Sequence, residues 1–128
     1  MILLNYSHPL TPEQIARVEE LTRQKVERVL NLPVQFDNNA PFLPQLDALM
    51  QALPLSPTEL QSAAVVVNPP SLNFITALVL AALHGRMGYF PPVIRLRPVE
   101  GALPPRYEAA EVLNLQAVRD HARKERFE

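Results

Sequence analysis

Five consecutive apolar residues, Ala63-Ala64-Val65-Val66-Val67, run without alternation and stop abruptly at Asn68-Pro69-Pro70-Ser71. A strand that meets solvent on one face alternates apolar and polar side chains. One that is apolar at every position is covered on both faces, the mark of a parallel sheet sandwiched between helices. Residues 72–84 follow and are apolar nearly all round, as expected of a helix packed between a sheet and another surface. The strand therefore belongs at the centre of a sheet, with the proline pair as a stiff turn leading into a buried helix.

The flanking sequence repeats this alternation. Met1-Ile2-Leu3-Leu4-Asn5 is a short buried strand, and Thr11-Pro12-Glu13-Gln14 supplies an N-cap, a proline at the first helical position and a glutamine three residues after the cap. Ile15, Val18 and Leu21 recur at helical spacing, so this helix runs to about Arg23, and residues 26–32 alternate as a second strand. Strand, helix and strand at this length form a βαβ unit. Residues 36–44 read as a loop rich in Asn and Pro. Leu43, Leu46, Leu49, Met50 and Leu53 then make a helical stripe stopped by Pro54, and Ser56-Pro57-Thr58-Glu59 caps a very short helix. Ser71 is the natural N-cap of the long apolar helix, which ends at Gly85 or Gly88. Residues 93–97 form a fourth strand. Residues 111–115 fit either a strand or a helix start and are read as a fifth strand. Residues 116–126 make a charged terminal helix with Leu115, Val118 and Ala122 inward. The pattern predicts one domain over residues 1–128: a small α/β three-layer fold with a mostly parallel sheet of about five strands.

Composition removes several chemistries. A chain of 128 residues buries roughly two thirds of its unfolded surface, enough for a core without metal or disulfide staples. With no cysteine there are no disulfides, no thiolate zinc sites and no thiol catalysis. The opening MILLNYSHPL lacks a basic n-region and a long apolar run, and no apolar stretch is long enough for a bilayer, so a cytoplasmic location without a membrane partner is expected. Fourteen prolines with only 3 glycines describe stiff connections in a folded chain.

Charge is unevenly placed. Residues 38–85 carry only Asp47 and Glu59, whereas residues 86–106 hold Arg86, Arg95, Arg97 and Arg106 against Glu100, a surplus of three positive charges made entirely of arginine. Arginine's planar fork suits phosphate. The competing reading is that these side chains cap a helix end and cover a sheet edge. The overall charge of −1 argues against a binder of duplex nucleic acid.

Ligands of such folds sit beyond the carboxyl ends of the strands. That rule selects Asn5, Tyr6, Ser7 and His8 after the first strand, Asn31 after the second, Asn68, Pro69, Pro70, Ser71 and Asn73 after the third, and Arg97 after the fourth. The NPPS turn opens a helix whose free amides would receive an anion, while Asn68 and Asn73 supply amides for a base edge or phosphate; the plainer alternative is a stiff structural turn. Tyr6 could stack on a base. Arg86, in His84-Gly85-Arg86-Met87-Gly88, would cap the long helix or reach across a subunit interface. No glycine spacing fits a dinucleotide fingerprint or a Walker loop, so no cofactor is expected. His8, His84 and His121 are dispersed, no HExxH is present and no metal site is expected; weak catalytic candidates are Ser7, His8 and Ser71.

The segments MILLNYSHPLTPEQ, VVVNPPSLNFITALVLAALHGRMGYFPPVIRLRP and EVLNLQAVRDHAR together resemble the small CRISPR-associated Csx fifteen family of type III systems, over the whole chain. The resemblance implies a CARF-type, Rossmann-like domain. It further implies a homodimer, open to higher assembly with ligand, that binds a cyclic oligoadenylate, cyclic tetra-adenylate foremost, in a pocket across the two-fold. Some relatives are ring nucleases. Here the resemblance leaves two activities open, capture of the messenger or slow, metal-independent ring cleavage by orientation of a ribose 2′-OH. A different class of function, drawn from the residues alone, is an interaction module that docks a partner subunit through the apolar helix 72–83.

Overall fold

The computed structural model describes residues 1–127. Five strands form one sheet in the order β2-β1-β3-β4-β5. They are β1 (Ile2–Asn5), β2 (Arg28–Asn31), β3 (Val65–Asn68), β4 (Val93–Pro98) and β5 (Tyr107–Leu113). β1 pairs in parallel with β2 and with β3, β3 pairs in parallel with β4, and β5 returns antiparallel to β4. The helices are α1 (Pro12–Thr22), α2 (Phe42–Gln51), α3 (Pro57–Ser62), α4 (Asn73–Met87) and α5 (Leu115–Arg126).

The pleat divides the core in two. Ile2, Leu4, Tyr6, Val65, Val67 and Val93 share one face with α2, α3 and α4, where Met50, Leu60, Ile75, Val79 and Leu83 are buried. Leu3, Val66, Ile94 and Ala109 face the other way, onto Val18 of α1. Every residue of β1 and of β3 is buried, as continuous apolar runs demand. With helices on both faces this is a small Rossmann-like three-layer fold. No helix among the described residues is long and apolar enough to cross a membrane.

Local chemistry explains the helix starts. Thr11 and Gln14 close a reciprocal capping box on α1, and Ser56 and Glu59 close another on α3. The Ser56 amide donated to the Glu59 carboxylate holds that carboxyl below its usual value. α4 ends at Gly88, whose φ of 87° is the left-handed conformation glycine tolerates best; Gly85 lies inside the helix.

Several expectations are corrected. α2 begins at Phe42, inside the stretch read as a loop, because Pro44 falls in the first turn, where a missing N–H breaks no helical bond. The strand expected over 111–115 is a strand but covers Tyr107–Leu113, and Leu115 opens α5 behind Asn114, whose side chain accepts from the Ala117 amide. The inward stripe of α5 is not formed: Leu115 touches the core, while Val118 is 64% exposed and Ala122 is also exposed. Leu72, and not Ser71, occupies the N-cap of α4.

Candidate functional site at the carboxyl edge of the sheet

In the strand order 2-1-3-4-5, the connections leaving β1 and β3 diverge to opposite faces of the sheet, which opens a crevice beyond their carboxyl ends. The structure has a cleft there of about 320 Å³. Ser7 and His8 of the β1 loop form one side, Ser71 and Leu72 of the NPPS turn another, and Val34 and Phe36 of the loop after β2 the third, with Ile75 of α4 also lining it.

The rim is held in place by side chains beneath and beside it, of which Asn5 and Asn68 are buried and Asn31 is exposed. Asn5, Asn31 and Asn68 stand side by side across three strand ends. Asn5 is fully buried and uses its whole carboxamide: Nδ2 donates to the His8 carbonyl at 2.9 Å and to Asn31 Oδ1 at 3.0 Å, while Oδ1 accepts from the Ser7 amide at 3.1 Å and from Asn68 Nδ2 at 2.9 Å. These bonds fix the turn that presents Ser7 and His8. Across the cleft, Thr76 Oγ1 donates to the Pro70 carbonyl at 2.8 Å and ties the proline turn to α4. On the third side the Phe36 ring packs edge-on to Phe42 at 5.3 Å, and Gln45 bonds both the amide and the carbonyl of Asp37.

Of the residues selected from the sequence, the fold brings Tyr6, Ser7, His8, Pro70 and Ser71 to the cleft. Asn5 and Asn68 lie beneath it as scaffold, with Asn68 only 3% exposed, so its amide serves Asn5 and presents no free edge to a base. The sequence signal for this role was the shared ending of three strands, Leu4-Asn5, Leu30-Asn31 and Val67-Asn68. Tyr6 is 2% exposed and packed in the core, so it offers no ring face for stacking. Its hydroxyl is buried without a hydrogen-bond partner, and burial pushes the phenol pKa up while the charge of Arg86 draws it partly back. Asn73 is exposed and bonds the Phe74 amide. Pro69 stiffens the turn without lining the cleft.

The arginines go elsewhere. Arg86 lines a separate recess of about 280 Å³ with Met50, Leu53 and Leu60, and Arg97 Nε holds Glu108 Oε1 at 2.9 Å on the β4–β5 hairpin. Among the described residues no lysine or arginine lines the cleft. An electropositive feature is the first turn of α4, whose N-cap Leu72 gives no side-chain bond and which holds no acidic residue; Asn73 takes the Phe74 N–H, and the other first-turn N–H groups are left for an anion. His8 has no second histidine beside it, since His84 packs on Phe90 at 4.2 Å and His121 pairs with Glu125. The site therefore offers hydroxyls, one imidazole, helix-terminal amides and an apolar wall. A comparison with protein-family models, curated proteins and solved structures returns no match.

Proposed function

We propose that the protein is a binder of cyclic oligoadenylate, cyclic tetra-adenylate foremost, that acts as a homodimer and lowers the free messenger in type III CRISPR signalling, as the resemblance to the Csx fifteen family implies. The observation that carries the reading is the cleft at the β1/β3 crevice with the uncapped start of α4 at its wall. The apolar wall of Val34, Phe36 and Ile75 suits a base. The hydroxyls of Ser7 and Ser71 and the amides of α4 suit a phosphate.

Size argues for two copies. Small-molecule pockets run from about 300 to 1,000 Å³, so a cleft of about 320 Å³ is at the lower bound. It has room for one nucleotide unit and not for a ring of four. Two clefts related by a two-fold would divide such a ring evenly.

Capture is favoured over cleavage by the chemistry of the rim. The asparagines are committed to each other, the arginines do not line the cleft, and Ser7, His8 and Ser71 remain as its catalytic candidates, with no acid or second base lining it among the described residues. The second reading, docking of a partner subunit, draws on α4: Leu72 is 54% and Phe74 72% exposed. That face equally suits a second copy of this chain.

Radiolabelled cyclic tetra-adenylate mixed with the protein in a gel-shift assay is expected to be retarded and recovered intact, with light scattering giving twice the 14.4 kDa chain mass. Rapid conversion to linear products, abolished by His8→Ala at unchanged affinity, would make the protein a ring nuclease. An unshifted ring would leave the docking module as the better account.

A further inference from the structure

The largest cavity described is not the cleft at the strand ends. A groove of about 650 Å³ lies between the first two turns of α1 and the neck of the β4–β5 hairpin, and no residue lines both. Its geometry points to a second ligand site, for a nucleoside monophosphate or the phosphorylated end of a nucleotide chain.

The first cleft does not use the arginine surplus of residues 86–106. On the hairpin, Arg95 is neutralised by Glu111 at 2.7 Å and Arg97 by Glu108 at 2.9 Å. Arg106 makes no ion pair among the described residues, and it lines the groove. Arg17 faces it from α1, held only by an exposed pair with Glu20, a type of contact that solvent screens and a ligand can exchange. Two guanidiniums from separate elements thus border one concavity. That is an arrangement that suits a phosphate from two directions.

The rest of the groove suits what phosphate is attached to. β5 brings Tyr107, Glu108 and Ala109 to the groove, and the Glu108 carboxylate there is engaged by Arg97 at 2.9 Å. Ala109, 3% exposed, gives a low floor, and Tyr107 is 55% exposed, a ring available for stacking on a planar base. The walls are pinned: Gln14 Nε2 donates to the Tyr107 carbonyl at 2.9 Å, and the Val99 amide donates to the Arg106 carbonyl at 2.9 Å. Glu13 is the acid left over on the α1 side, and its carboxylate would accept from an exocyclic amine or a ribose hydroxyl. One anionic group, one flat ring and one donor describe a nucleotide whose base carries an amine.

Calorimetric titration of the full chain with adenosine monophosphate, adenosine and inorganic phosphate separates the contributions. The account expects saturable binding of the monophosphate, weaker binding of either fragment, and at least a tenfold loss in Arg106→Ala and in Tyr107→Ala. Ala109→Leu, which fills the floor, should weaken it as well. Ser71→Trp, which fills the other cleft, should leave the Arg106-dependent binding event unchanged whatever it removes elsewhere, so failure of this site and failure of the cyclic-ligand reading are told apart. Absence of saturation into the millimolar range, equal affinity for phosphate alone, or loss in Ser71→Trp with retention in Arg106→Ala would overturn the assignment.

Discussion

Replacing Asn5 by alanine is expected to destabilise the fold by about 2 to 5 kcal/mol. The side chain is fully buried and makes four hydrogen bonds, and its removal strands the buried Asn68 amide away from water and breaks the half-buried bond to the Ser7 N–H. Each buried group left without a partner costs about 1 to 3 kcal/mol. The other two partners, the His8 carbonyl and Asn31, belong to exposed residues and can be rehydrated. Against a total stability of about 5 to 15 kcal/mol the loss is large, and a melting temperature lower by roughly 10 °C is the expected reading. Asn73→Ala is the control, since that exposed side chain bonds only the next amide in the chain, and a change within about 0.5 kcal/mol is expected there. Equal melting temperatures for the two variants would remove the asparagine row from the account. The effect reaches function too, because the same four bonds set the turn that carries Ser7 and His8 into the cleft.

Tyr6→Phe is expected to act in the opposite direction and stabilise the protein by about 1 to 3 kcal/mol, the cost of burying a hydroxyl with no partner. The ring stays packed against the core, so no cavity offsets the gain. A pH dependence follows from the same group. The phenol pKa is raised above its usual 10.0 by burial. The unfolded chain therefore ionises at Tyr6 while the folded one stays protonated, and stability falls as pH rises above about 10. Below that value both states are neutral and the group is silent. The Phe variant should lack this alkaline loss. Denaturant unfolding at neutral pH and at pH above 10 measures both effects. A destabilised Phe variant would mean that the hydroxyl has a partner.

How much of this was legible follows element by element. Strands buried on both faces leave an unmistakable trace, so Val65-Val66-Val67 announced the centre of the sheet and Leu3-Leu4 another buried strand. Capping boxes are strictly local, and both were readable. Terminal chemistry was less so. Ser71 has the right side chain for an N-cap, but the proline pair carries the chain one residue further before helical dihedrals begin, and Leu72 takes the position. The stripe of α5 matched a helical period, yet that helix buries none of its residues. Periodicity reports which residues share a face and not whether anything covers it.

The candidate site divided in the same way. The strand-end rule selected Ser7, His8 and Ser71, and these three line one cleft. Side-chain roles depended on pairings that no local signal contains. The asparagines turned inward to one another, Tyr6 turned into the core, and Arg97 met a glutamate across the hairpin, contacts that form only once the strands are in register.

Titration calorimetry of cyclic tetra-adenylate into the protein, run beside Ser71→Trp, tests the central claim most directly. Ser71 is exposed on the cleft wall, so the substitution should leave the fold intact while filling the space a nucleotide unit would occupy. The account predicts one ring bound for every two chains by the parent protein and no binding by the variant. One ring per chain, or an isotherm unchanged by Ser71→Trp, would contradict it.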